Sequence, residues 1–177
     1  DPGQERPVRQ ACRLSRMHTG YRRLLNCMRD YQPSRDLLAG RVILVTGAGD
    51  GLGRTASLTY ARHGASVILV GRTQNKLEAV YDEILAEQLA SPLLMPLDLA
   101  KAGLREFEQI AAAIEREFGR LDGLLHSAAT LGTLTPLALY DLETWQKVMQ
   151  VNFNAAYLLT RACLGVLEKS PDASVIF

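Results

Sequence analysis

The sequence predicts an α/β fold, a doubly wound parallel sheet with helices on both faces. Short, continuous apolar runs rich in β-branched residues recur along the chain, and amphipathic segments of helical period separate them. A glycine-rich turn stands between the first such run and the first helical segment. The resulting order, βαβαβαβαβ, winds into one sheet through right-handed crossovers. A chain of 177 residues can build one sizeable core and is too short to argue for two.

Residues 1–30 carry seven Arg against three acids and show no steady hydrophobic period, so they are expected to be a basic, disordered N-terminal extension. Their Arg-rich, acid-poor composition superficially resembles a mitochondrial transit peptide. The plainer alternative makes them upstream sequence with Met28 as the natural start, because Tyr31-Gln-Pro-Ser-Arg-Asp-Leu-Leu38 reads as the lead-in to a domain. From residue 31 onward, thirteen basic and sixteen acidic residues leave a mildly acidic body. That balance gives no reason to propose nucleic acid as a partner.

The first two strands are Val42-Ile-Leu-Val45 and Val67-Ile-Leu-Val70, apolar throughout as parallel strands buried on both faces must be. Leu93–Leu97, Leu121–His126 and Ser174–Phe177 are the next three. Pro96 requires the third to be an edge strand or to end there. Between them, Leu77, Val80, Tyr81, Ile84, Leu85 and Leu89 share one helical stripe, as do Phe107, Ile110, Ala111, Ile114 and Phe118. A long helix is expected from Asp141, a good N-cap residue, to about Glu168, where Ser170-Pro171 ends it.

Cys12, Cys27 and Cys163 form no Cys-x-x-Cys pair, which suggests neither a disulfide framework nor a zinc site and suits a reducing compartment. No apolar run approaches the roughly eighteen residues of a membrane span. The expectation is a cytoplasmic protein with no membrane partner.

The most informative stretch is Val45-Thr46-Gly47-Ala48-Gly49-Asp50-Gly51-Leu52-Gly53-Arg54. A strand, a tight glycine turn and a helix N-terminus together form an anion site, because backbone N–H groups and the helix dipole converge on a pyrophosphate. The alternative is a ligand-free connecting turn. No Gly-Lys-Ser/Thr follows, which excludes a P-loop. The second strand runs into Gly71-Arg72-Thr73, where an acid would bind a ribose diol and indicate NAD. Arg72 instead suits a 2′-phosphate, with Thr73 as a second contact, so the cofactor expected is NADP rather than NAD.

The spacing of Thr46-Gly47, Gly51 and Gly53 resembles the Thr-Gly-x-x-x-Gly-x-Gly of the short-chain dehydrogenase/reductase family. The resemblance covers about residues 35–177 and implies that 31–177 is the N-terminal portion of an NAD(P)-binding Rossmann domain. Asp98-Leu99 resembles the family's contact to the adenine edge. His126-Ser127-Ala128-Ala129 stands where the family has Asn-Asn-Ala-Gly, and only Ala128 matches. Ser127 is there a shorter strand-bridging group, and Ala129 adds a methyl where the cofactor passes. Asn152, in Trp145–Asn152, matches the Asn that in relatives holds a water of the proton relay. Asp50 departs from the NADP-preferring relatives that carry a basic residue in this loop. The wording of Tyr31–Leu38, Ile43–Gly53 and His126–Gly132 resembles a bacterial oxidoreductase branch.

The family's activity is hydride transfer between nicotinamide and a carbonyl or alcohol, with Tyr as general acid/base beside Lys and with Ser holding the substrate oxygen. None of the six tyrosines has Lys four residues on, and the sequence reaches Phe177 just short of the expected Ser. The resemblance therefore implies a small-molecule substrate, a homo-oligomer at full length, and no reductase activity from these residues alone. Strand five as a bare sheet edge further implies marginal stability. Competing readings are a non-catalytic dinucleotide-binding module and a methyltransferase, the latter disfavoured by Gly71-Arg72 at the end of strand two.

Overall fold

Five apolar runs pair as one parallel sheet in this computed structural model, which describes residues 31–177. They are Val42–Thr46 (β1), Ser66–Gly71 (β2), Leu93–Pro96 (β3), Gly123–His126 (β4) and Ser174–Ile176 (β5), in the order β3-β2-β1-β4-β5. Two units divide the chain, Asp1–Ser34 and Arg35–Phe177, and every element described here belongs to the second. The expected extension, residues 1–30, lies outside the described residues.

The continuity of the strand sequences follows from burial on both sides. Val42, Leu44, Ile68 and Val70 point to one face and pack with Phe107, Ile110 and Ile114 of helix α3 (Leu104–Phe118) and with Leu159 and Cys163 of α5 (Ala155–Leu167). Ile43, Val45, Val67 and Leu69 point to the other, against Leu58 and Ala61 of α1 (Gly51–Arg62) and Leu77, Val80 and Ile84 of α2 (Gln74–Ala86). Leu85, expected on the buried stripe of α2, is 40% exposed. β3 lies at one edge of the sheet and ends on Pro96, as the missing N–H of proline requires.

The chain runs outward from β1 to β2 and β3, then returns to place β4 on the opposite side of β1. This reversal leaves a crevice beyond the carboxyl ends of β1 and β4, where open α/β sheets bind their ligands. Thr46 pairs there with Val70 on one side and His126 on the other.

Asp141 caps α4 (Leu142–Met149), its Oδ2 accepting the Thr144 N–H at 2.7 Å. The expected single helix is interrupted. Gln150–Asn154 forms a π turn, in which Ala155 N–H reaches back to the Gln150 carbonyl, before α5 resumes the α-helix. Two side chains of this turn are held from outside the helix. Gln150 Nε2 donates to the carbonyls of Leu99 and Ala102, and Asn152 binds Thr130. These tertiary anchors accompany the extra residue, and helix propensity does not register them.

The sheet is fastened at its other end by Asp122, the only buried charged residue among the described residues. Its carboxylate accepts the Val42 N–H at 2.9 Å, the Ser170 hydroxyl at 2.7 Å, and one guanidinium N–H from each of Arg41 and Arg120 at 3.1 Å. Burial alone would raise its pKa. The four donors outweigh that and hold it down at about 2.

Candidate functional site

The site begins where β1 ends. Gly47 has φ +68°, and a Cβ there would sit 2.9 Å from the Cα and N of Ala128, so the loop lies directly on the segment after β4. Gly53 is required for another reason. Its Cβ would fall 2.3 Å from the Gly47 carbonyl oxygen, so only glycine lets the first turn of α1 close on the loop. The Ala48 N–H donates to the Val70 carbonyl at 3.1 Å and ties the loop to β2. Asp50 caps α1, with Oδ1 accepting the Gly51 N–H at 2.8 Å.

A cleft of about 520 Å³ opens over this loop. Gly47, Asp50, Gly51 and Leu52 form one wall, and Arg72 and Thr73 stand at the end of β2. Asp98 and Leu99 follow β3, and Ser127, Ala128 and Ala129 close the side after β4. These residues come from four separate loops, brought together at the carboxyl ends of the strands. Thr46 and Gly53 stand behind the wall and do not line it. Asn152 lines a smaller cavity of about 70 Å³ with Thr46, His126 and Ala128.

Thr46 is buried and acts as a strut. Its hydroxyl oxygen accepts the N–H groups of Ser127 at 3.1 Å and Ala128 at 3.2 Å. The strand-to-strand bridge is thus made from β1, while the Ser127 hydroxyl forms no hydrogen bond among the described residues. Thr46→Val keeps the shape and removes the acceptor, leaving two N–H groups without it. A loss of about 2 kcal/mol is expected in a denaturant titration, whereas Ser127→Ala should change stability by less than about 0.5 kcal/mol.

His126 is a packing residue. Its ring stacks on Phe177 at 5.0 Å, Nε2 lies 2.9 Å from the Thr160 hydroxyl, and burial lowers its pKa to about 4. It is therefore neutral near pH 7. Asn152 uses its whole amide on Thr130: Oδ1 accepts the N–H at 2.8 Å and Nδ2 donates to the carbonyl at 2.9 Å. The π turn presents this amide, which in turn fixes the segment leaving the cleft. Asp98 Oδ1 accepts the Ala100 N–H at 3.1 Å, a local turn on the cleft wall.

The charged groups of the cleft divide in two. Arg72 is exposed and forms no hydrogen bond or ion pair among the described residues. Asp50 Oδ2 lies 2.5 Å from Lys76 Nζ, and this bond, followed by the Gly51 N–H, holds the carboxyl below its ordinary range. Lys76 lines the cleft and was not among the residues expected from sequence; nor were Thr130 and Val151. On α2 the lysine looks like any solvated helix charge, and only the fold brings it to Asp50. No group of three or more His, Cys, Asp or Glu that could hold a metal ion occurs among the described residues.

The cleft thus joins a glycine loop at the switch point of a parallel sheet, the N-terminus of a helix and an unpaired Arg after β2, a set of groups that can hold an anion. The sequence pattern described as short chain dehydrogenase matches residues 41–177, and the chain belongs to that family. It is 47% identical over 147 residues to the uncharacterized oxidoreductase YciK of Escherichia coli K12, covering 83% of this chain and 58% of that one. A short chain dehydrogenase from Salmonella enterica serovar Typhi superposes with a TM-score of 0.81 at 50% identity, over 83% of this chain and 60% of its own. An Escherichia coli CFT073 structure, assigned to the short chain dehydrogenases and complexed with NADPH, gives 0.79 at 47% identity, over 82% and 60%. The chain thus spans about three-fifths of the length of these relatives. The family resemblance and its bacterial oxidoreductase branch are borne out.

Proposed function

We propose that residues 31–177 form the cofactor-binding portion of an NADP-dependent oxidoreductase acting on a small carbonyl or alcohol substrate. The observation that carries this reading is the unpaired Arg72 guanidinium, in the same cleft as the glycine loop. The residues present fit the cofactor. A Cβ on Gly51 would meet nothing within 4 Å, so the N-terminus of α1 offers open room for a pyrophosphate. Arg72 can grip a 2′-phosphate through paired, charge-assisted bonds, with Thr73 beside it. Asp98 and Leu99 border the adenine end, and Ser127–Ala129 the side toward the nicotinamide. The Escherichia coli CFT073 relative complexed with NADPH supports the same cofactor.

When bound, the dinucleotide supplies or accepts the hydride. This chain's residues bind and orient it. Asn152 is a positioning residue, because its amide fixes the Thr130 segment that leaves the cleft. No Tyr-x-x-x-Lys lies within residues 1–177, so these residues bind the cofactor without turning over a carbonyl substrate. Arg72→Ser tests the assignment. It should weaken NADPH about 30-fold, equivalent to about 2 kcal/mol, and leave NADH within about twofold. Equal effects on both cofactors would refute Arg72 as the specificity residue.

A further inference from the structure

Asp50 poses a problem for an NADP site, because a carboxylate in the glycine loop repels phosphate. The structure places Lys76 against it. Lys76 Nζ lies 2.5 Å from Asp50 Oδ2, and both side chains face the cleft that Arg72 and Thr73 line. The loop and the lysine are packed together at the backbone level, since a Cβ on Gly49 would fall 2.9 Å from the Lys76 Cβ. The stem of Lys76 is therefore seated at the junction of the glycine loop and α2.

The lysine does nothing for its own helix. It sits in the first turn of α2, where a cation opposes the helix dipole, and Thr73 gives no side-chain cap. Nor is the ion pair a strong fastening. The two side chains are 54% and 75% exposed, and such pairs contribute little to stability. A pair of this kind is readily shared with a third charged group, and a phosphate dianion is a strong acceptor for an ammonium.

We propose that Lys76 is the second specificity-determining cation of the 2′-phosphate subsite, beside Arg72, and that Asp50 is its positioning partner. The proposal rests on the NADP reading above. Lys76 cancels the Asp50 charge on the cofactor wall and offers its remaining N–H donors to the phosphate. Asp50 thus takes part in selecting NADP through Lys76.

The test is a set of equilibrium titrations of the chain with NADPH, NADH, 2′,5′-ADP and 5′-AMP. Lys76→Met should weaken NADPH and 2′,5′-ADP about tenfold, while NADH and 5′-AMP stay within about twofold. That retained binding also shows that the variant is folded. Lys76→Arg should keep the preference for the 2′-phosphate. Adding Asp50→Asn to Lys76→Met should recover at least about threefold in NADPH affinity, because the carboxylate is then no longer left uncancelled. The proposal is overturned if Lys76→Met weakens all four ligands alike, or leaves the NADPH-to-NADH ratio unchanged in a chain whose wild type prefers NADPH. If the wild type binds both dinucleotides equally or neither, the NADP reading itself fails and the proposal falls with it.

Discussion

Asp122→Ala is expected to lower the stability of the chain by about 3 kcal/mol, because it removes the acceptor from four donors at once. Arg41 and Arg120 can turn to water, but the Val42 N–H and the Ser170 hydroxyl lose their acceptor at the base of β1 and β4. The carboxylate also makes stability depend on pH. Its folded pKa of about 2 lies below the ordinary aspartate range, so its contribution is fully present above about pH 4. That contribution, about 2 kcal/mol, is lost as the pH falls from about 4 to about 2. Denaturant titrations between pH 2 and pH 7 should show this slope in the wild type and its absence in Asp122→Asn. Parallel curves for the two proteins would show that the charge of Asp122 does not contribute.

Gly53→Ala is expected to be as damaging to the cleft as Asp122→Ala is to the sheet. The added methyl would lie 2.3 Å from the Gly47 carbonyl oxygen, a backbone atom that cannot rotate away. Either α1 withdraws from the loop or Gly47 leaves its seat on Ala128, and both movements open the anion site. Overpacking of this kind costs about 2 kcal/mol in stability. Dinucleotide binding should fall more than about tenfold for NADPH and NADH together, because the loop serves the pyrophosphate that both share. A variant that binds both cofactors as the wild type does would show that the loop tolerates the displacement and does not shape the site.

The strands were legible because their burial is two-sided. Val42–Val45 and Val67–Val70 have no solvent face, so no polar residue interrupts them, and the glycine spacing marks where the first strand ends. Arg72, Asp98 and Ser127–Ala129 could be placed on the cleft because each follows a strand, and strand ends converge in this topology. The π turn was not legible. Residues 141–168 carry a continuous helical period, and what distinguishes Gln150–Asn154 is the reach of Gln150 and Asn152 to carbonyls elsewhere in the fold. Thr46 stands in the glycine stretch, and sequence cannot tell a hydroxyl that faces a ligand from one that props the neighbouring strand. Asp50 looked like a counter-signal to NADP for a related reason. Its partner, Lys76, lies 26 residues away on another helix.

The proposed preference of this cleft for NADP over NAD can be measured directly. The chain has one tryptophan, Trp145, so energy transfer to a bound reduced nicotinamide gives a binding signal without any turnover. Titration of the chain with NADPH and with NADH is expected to give saturable binding of both, NADPH at least about tenfold tighter. Equal affinities, or no saturable binding of either cofactor, would contradict the account.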